Sequence, residues 1–341
     1  MERQKKKITL SCSVDAYRSG WTVVDFLAHR FPYHFAEGWR QRILDRRVRV
    51  NDTHVEPDDV VQKDDVIQYT ICHAEPEVDF RYDIIHEDEH VLAVSKSGNL
   101  PVHACGVFIT HTLISKLRER YGKKINLAHR LDRETSGLVL LSKNTEAARA
   151  FGRMFNEGKV AKKYIAIVRG RILEEQFEVD APVGKVEALK DKSGVREGKI
   201  DLLANRGKST SFDAEMDVAS YLPKRKIDFV AGKAARTQFA CIRYAGDYTV
   251  LEAIPLTGRT NQIRVHLAHI GFPVVGDKVY GLTGELKDEC LRNGLTKRVK
   301  QALVMDRHAL HCHILEFEHP VTGVPMRLDA PIPEDMKWAF D

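Results

Sequence analysis

From Phe80 onward, alternation of apolar and polar residues dominates the chain, in segments of strand length: "HVLAVSK", "GLVLLSK", "KYIAIVRG", "RTQFACIRY" and "YTVLEAIP". Period-two patterning of this kind is what a strand needs to bury one face of a sheet. Helical spacing interrupts it at "TLISKLRERYG" and "TEAARAFGRMFNEG", where Thr145 is placed as the N-cap of the second helix and Gly158 as its stop. The mixture predicts an α+β domain with a mixed, largely antiparallel central sheet and flanking helices. Residues 186–232, beginning "VEALKDKSGV", are polar, charged and glycine-interrupted, and read as an insertion that leaves the sheet.

Residues 1–77 form a separate small α/β module, closed by the turn-prone "CHAEPEVDF", and residues 78–341 form the second domain. "TVVDFLAHRF" and "WRQRILDRR" are its helices, and "VRVNDTHVEPDDVVQKDDVIQYTI" supplies short strands joined by turns at "ND" and "EPDD". Charge is polarised here. Arg40, Arg42, Arg46, Arg47 and Arg49 are followed closely by Asp52, Glu56, Asp58, Asp59, Asp64 and Asp65. A basic helical face beside a small hairpin suits phosphate contact. The same pattern suits a solvated helix whose arginines pair with the acidic hairpin.

With 341 residues the chain can hold two domains and a well-buried core, and its net charge of +5 permits a polyanionic partner without demanding one. Six cysteines without a CxxC pair, and an N-terminus without an apolar run, point to the cytoplasm. No stretch approaches the roughly 20 apolar residues that span a membrane. No phosphate-cradling glycine loop is present, which argues against a nucleotide cofactor.

Two constellations could carry chemistry. In "HRLDRETSGLVLLSKN", residues 129–144, Asp132 precedes an apolar strand across a small turn. Catalytic acids use such places, and so do turn-capping aspartates; the residues alone leave both open. In "PLTGRTNQIRVHLAHIGFPVVGDKVYG", Ile263, Leu267 and Ile270 give a helix an apolar stripe closed by Gly271, with Arg259, Arg264, His266 and His269 as basic groups near one another. A buried arginine there would hold a carboxylate ionised and oriented, whereas a surface one would only ion-pair. "RHALHCHILEF" is not read as a metal site, because alternation on a strand sends His311 and His313 to one face and Cys312 to the other. In "PVHACG", a packed Cys105 thiol is the expected reading rather than a nucleophile paired with His103.

"HRLDRETSGLVLLSKN" resembles the signature of the RluA family of RNA pseudouridine synthases: HRLD, two variable residues, TSG, an apolar strand and a lysine. "KKYIAIVRG" resembles the family's second motif, "ARTQFACIRYAGDYTVLEAIPLTGRTNQIRVHLAHIGFPVVGDKVYG" its third, and "HALHCHILEFEHPVTG" its closing strand. The first module is similar to the small RNA-binding domain of ribosomal small-subunit protein four. The resemblance implies a pseudouridine synthase fold that isomerises uridine in structured ribosomal or transfer RNA. It further implies no cofactor, no metal and RNA as partner, and a monomer is expected. By position it makes Asp132 the nucleophile and Arg130 the residue that enters the RNA stack as the base flips out. Tyr164 would stack on the uracil and handle a proton, Arg264 would pair with Asp132, and Ile263 and Leu310 would wall the base pocket. RNA contact is expected of Arg130, Arg40, Arg42, Arg46, Arg47 and Arg259.

Two departures stand out. The third motif often reads GRTHQIRVH in the family, but this chain has Asn261, an amide that cannot become a cation. The family's KPAG-like loop is here "KSGNLPVHACG". The rival readings are a non-catalytic RNA-binding or ribosome-assembly protein on the same fold, and a hydrolase with Glu134 as its second carboxylate.

Overall fold

The computed structural model describes residues 6–31, 35–73, 75–186 and 221–341. The chain divides into two compact units, Met1–Glu75 and Pro76–Asp341.

The first unit comprises β1 (Lys6–Ser13), α1 (Val23–Arg30), α2 (Ala36–Leu44), β2 (Val48–Val50), β3 (Thr53–His54) and β4 (Val66–His73). Its antiparallel sheet has the order β1-β4-β2-β3. β1 adds to the predicted strands: Ile8, Leu10 and Cys12 alternate along it with polar residues and pair with β4. Phe26, Leu27, Trp39, Ile43, Ile67 and Tyr69 form the core between helices and sheet. The Thr22 hydroxyl caps α1 by accepting from the Asp25 N–H.

The second unit runs β5 (Tyr82–Glu87), β6 (Val91–Lys96), α3 (Leu113–Tyr121), β7 (Asn126–Leu127), β8 (Ser136–Ser142), α4 (Thr145–Asn156), β9 (Ala161–Arg169) and β10 (Gln176–Asp180). It continues with β11 (Val183–Lys185), β12 (Arg225–Ile227), β13 (Arg236–Ala245), β14 (Tyr248–Pro255) and α5 (Gln262–His269). The chain closes with α6 (Gly284–Asn293), α7 (Lys297–Leu303), β15 (Leu310–Glu318) and β16 (Pro325–Asp329). The large sheet has the order β10-β13-β14-β9-β15-β8-β6-β5, with β16 on β15 and β7 on β8. Its pairings among the described residues are antiparallel except β15 with β8, as the alternation pattern predicts. Of the polar insertion, residues 187–220 lie outside the described residues. Its C-terminal end returns as β12, which pairs with β11.

The cap of α4 is one residue earlier than predicted. Asn144, in extended conformation, accepts the Ala147 N–H, so Thr145 is already helical. Gly158 does end this helix region, in a left-handed conformation at φ 70°.

Gly137 permits the parallel contact at the centre of the sheet. Its φ is 101°, and a Cβ there would lie 2.2 Å from the Cys312 carbonyl oxygen on β15. Any side chain would push apart the two strands that bring "HRLDRETSG" and "HALHCH" together. Gly137→Ala is expected to cost roughly 3 kcal/mol or more, read as a lowered denaturant midpoint at unchanged slope. A midpoint equal to that of the native chain would contradict this account of the crossing.

Candidate active site

Asp132 begins a tight turn that feeds directly into β8, with the Thr135 N–H donating to the Asp132 carbonyl at 3.2 Å. The remaining carbonyls of the turn are also held. The Arg133 carbonyl accepts from the Leu100 N–H at 3.0 Å and from Lys96 Nζ at 3.1 Å, and the Glu134 carbonyl accepts from Arg307 Nη1 at 3.2 Å. Arg307 is in turn clamped by Asp335. Lys96 is fully buried, and burial, then the charge of Arg307, brings its ammonium down to about 7. The sequence therefore places an exposed-looking acidic turn on a fixed frame.

Asp132 is partly exposed, and its Oδ2 accepts two hydrogen bonds: from Arg264 Nη1 at 2.9 Å and from Asn261 Nδ2 at 2.8 Å. Both donors come from the start of α5. Arg264 is buried. Its Nε and Nη2 donate in parallel to Asp277 at 2.7 and 2.8 Å, and its guanidinium lies 5.1 Å from the centre of the Tyr280 ring. Asp277 has no exposed surface and also accepts the Val279 and Tyr280 N–H groups at 2.9 Å each. Burial opposes its ionised form, yet the charge and bonds of Arg264 outweigh this and hold the carboxyl below its usual range. One guanidinium thus bridges a sealed carboxylate and a solvent-reachable one.

Tyr164 lies on β9, opposite Cys312 of β15, and is buried together with Ile263 and Leu310 in one core cluster. Burial, then the neighbouring Cys312 thiol, pushes the phenol well above 10. Burial likewise pushes the Cys312 thiol up to about 12, so both groups are neutral. His129 is structural. It accepts the Leu140 N–H at 3.0 Å, stacks on Phe155, and burial pushes it down to about 3. Arg130 is exposed and donates to His103 Nε2 at 3.2 Å. Arg133 pairs with Glu134 at 2.9 Å and lies over the Phe108 ring.

Two expectations are corrected, and one rival loses its acid. The basic groups of the α5 motif do not gather. Arg264 faces the two carboxylates, while His266 is buried against Thr237 and the Ala181 carbonyl, His269 is exposed, and exposed Arg259 donates to the Ala234 carbonyl. Successive helical residues point in different directions, and that separates them. Cys105 is exposed rather than packed, because it sits on a short looped bridge with Phe108. Glu134 is no free acid: Lys278 donates to it at 2.8 Å, and although burial opposes ionisation, Lys278 and Arg133 hold it below the usual range. No group of three or more His, Cys, Asp or Glu among the described residues is arranged to hold a metal ion.

Asp277 is a site residue that the sequence reading does not single out. "GDKVYG" holds a local signal for it, an aspartate whose side chain accepts N–H groups two and three residues on. Its pairing with Arg264 has no such signal.

In the first unit, Arg40 is committed to Asp58 at 3.0 Å, and Arg42 Nη1 donates to the Gly38 carbonyl. Arg46, Arg47 and Arg49 instead line an open concavity of about 570 Å³ with Lys7, Thr9, Asp45, Gln68 and Thr70. No helix among the described residues is long and apolar enough to cross a membrane.

Residues 90–269, more than half of the chain, match the RNA pseudouridylate synthase family. The chain is 29% identical over 323 residues to ribosomal large subunit pseudouridine synthase D of Pseudomonas aeruginosa, covering 91% of this chain and 88% of that protein. It is 28% identical to the mitochondrial tRNA pseudouridine(32) synthase of Saccharomyces cerevisiae, covering 81% of this chain and 52% of that protein. Among solved structures, human RNA pseudouridylate synthase domain containing 1 superposes with a TM-score of 0.53 at 25% identity, over 75% of this chain and 86% of that one.

Proposed function

The chain belongs to the RNA pseudouridylate synthase family, and from that premise we propose that it converts one or a few uridines of structured ribosomal or transfer RNA, with Asp132 as nucleophile. It is an enzyme that isomerises uridine to pseudouridine in RNA. The observation that carries the site assignment is the Asp132–Arg264–Asp277 chain. It presents one reachable carboxylate, fixed on a rigid turn and charge-balanced by a buried guanidinium.

The reaction breaks the bond from N1 of the base to C1′ of the ribose and forms one from C5 to C1′; C5 loses a proton and N1 gains one, with no net redox change. Its stoichiometry requires no cofactor. Asp132 bonds transiently to the substrate and is released again as the C5–C1′ product forms; Arg264 keeps the carboxylate oriented as water leaves; Ile263 and Leu310 wall the base. Arg130, exposed beside the turn, fills the stack vacated by the flipped uridine, offsetting a few kcal/mol of unstacking. Tyr164 acts as a neutral phenol: it stacks on the base, and it passes a proton only by releasing its own as it takes another. Carboxylate and clamp come from one chain, so a monomer suffices. The free thiols of Cys12, Cys105, Cys241, Cys290 and Cys312 favour a cytoplasmic setting. A glycosidase reading is disfavoured because Glu134 stays ionised between Lys278 and Arg133. Pseudouridine mapping of ribosomal and transfer RNA from cells with and without the gene tests the substrate. One lost site identifies it, and an unchanged map in both RNA classes overturns the proposal.

The first unit acts as an RNA-holding domain of the kind found in ribosomal small-subunit protein four. Arg46, Arg47 and Arg49 are its phosphate contacts, and Arg259 is a separate one on the second unit; Arg40, turned to Asp58, contributes less. Replacing Arg46 and Arg49 together by glutamine is expected to weaken binding of structured RNA and to reduce the slope of log affinity against log salt by about 2. Arg40→Gln is expected to leave that slope nearly unchanged. Equal effects would refute this division of labour.

A further inference from the structure

We infer that Asn261 is a positioning residue which, with Arg264, reserves Oδ2 of Asp132 and leaves Oδ1 as the oxygen that reacts; the inference rests on Asp132 being the nucleophile. The two donors approach the same oxygen, at 2.8 and 2.9 Å, from residues 129 and 132 positions away in sequence. No hydrogen bond to Oδ1 is formed among the described residues. A carboxylate held by one donor can still rotate and exchange its oxygens. Two donors converging on one oxygen fix the rotamer and make the oxygens inequivalent. The free one keeps its lone pairs for the substrate.

The backbone supports the same reading. Asn261 immediately precedes α5, the place where a side chain ordinarily accepts an N–H of the first helical turn, yet it makes no capping bond. Its φ is 59° and ψ 16°, the left-handed conformation that asparagine tolerates better than most side chains. Residue 261 therefore forgoes the local bond and turns its amide to a carboxylate in another part of the chain. Only the NH₂ end of that amide can face an ionised carboxylate, which fixes its orientation. An amide does not titrate, so this donor delivers the same hydrogen bond at every pH at which the protein is folded.

Three variants test the inference on full-length protein with a transcript carrying the modified uridine. Asn261→Gly keeps the left-handed backbone without strain and removes the donor. Its kcat is expected to fall about tenfold or more, the worth of a hydrogen bond to a charged group, with KM within about twofold and the melting temperature unchanged. Asn261→His restores a ring N–H donor. It is expected to recover most of kcat near pH 8 and, in the ratio of its kcat to that of the native chain, to show a limb between about pH 6 and 8 as the imidazole protonates; the ratio cancels any limb from Lys96, which both chains hold at about 7 under the same turn. A merely structural asparagine would create no such limb.

Native kcat in Asn261→Gly, a change confined to KM, a fall in kcat that tracks a fall in melting temperature, or no recovery in Asn261→His would each overturn the inference. Asp132→Asn run alongside separates the failures. Turnover by that variant removes the premise, whereas an inactive Asp132→Asn beside a fully active Asn261→Gly removes only the role of Asn261.

Discussion

Asp132→Asn is expected to abolish pseudouridine formation while binding RNA within about threefold of the native chain. The replacement is nearly isosteric. Its amide oxygen can still accept from Arg264, so the turn, held through its carbonyls by Leu100, Lys96 and Arg307, has no reason to move. What disappears is the charge and the nucleophilic lone pair, and no second carboxylate stands ready to replace them, since Glu134 is occupied by Lys278 and Arg133. The measurement is single-turnover formation of pseudouridine on a cognate transcript, with affinity read at the same salt concentration. Substantial turnover would end the assignment of Asp132. A loss of affinity far beyond threefold would show that the carboxylate contributes to holding RNA.

Arg264→Met is expected to remove activity and to lower stability by about 3–5 kcal/mol. The second effect comes from Asp277 rather than Asp132. Asp277 has no exposed surface, and without the guanidinium it retains only the Val279 and Tyr280 N–H groups against the cost of a buried charge. Adding Asp277→Asn removes that charge while an amide oxygen still accepts both N–H groups. The double variant is therefore expected to regain much of the stability and none of the activity. Denaturant midpoints at constant slope measure the first, and turnover the second. A double variant no more stable than Arg264→Met would show that the buried pair is not what the single change disrupts.

The sequence carried different parts of this structure with different clarity. Strands such as "HVLAVSK", buried from Val91 to Lys96, and "YTVLEAIP", and the helices of both units, are legible because their apolar content and spacing reflect burial, a local property. β1 is less so: it opens on lysines, and its apolar residues Ile8, Leu10 and Cys12 are few. Asp132 is ambiguous from its neighbourhood alone, since the residue that distinguishes a reactive acid from a turn acid lies 132 positions away at Arg264. Matching motifs bring the two together in expectation. They do not reveal that Asp277 sets the direction of Arg264, because an aspartate bonded to its own turn gives no sign of a second, distant partner. In the same way five clustered arginines look alike in sequence. Only tertiary placement separates Arg40, spent on Asp58, from Arg46, Arg47 and Arg49 around their concavity.

The anchoring of the Asp132 turn also fixes when it can form. The Glu134 carbonyl is held by Arg307, and Arg307 by Asp335, which follows β16; Thr135 leans on His308 at 2.7 Å. During synthesis the turn meets Arg307 and His308 only after they have emerged, and the clamp on Arg307 closes only once β15, β16 and Asp335 have followed. Contacts of such long sequence separation come late in folding. A growing chain thus has its first unit complete, with the arginine-lined concavity formed, well before the Asp132 turn is set. If the first unit holds RNA as proposed, holding precedes chemistry in the growing chain.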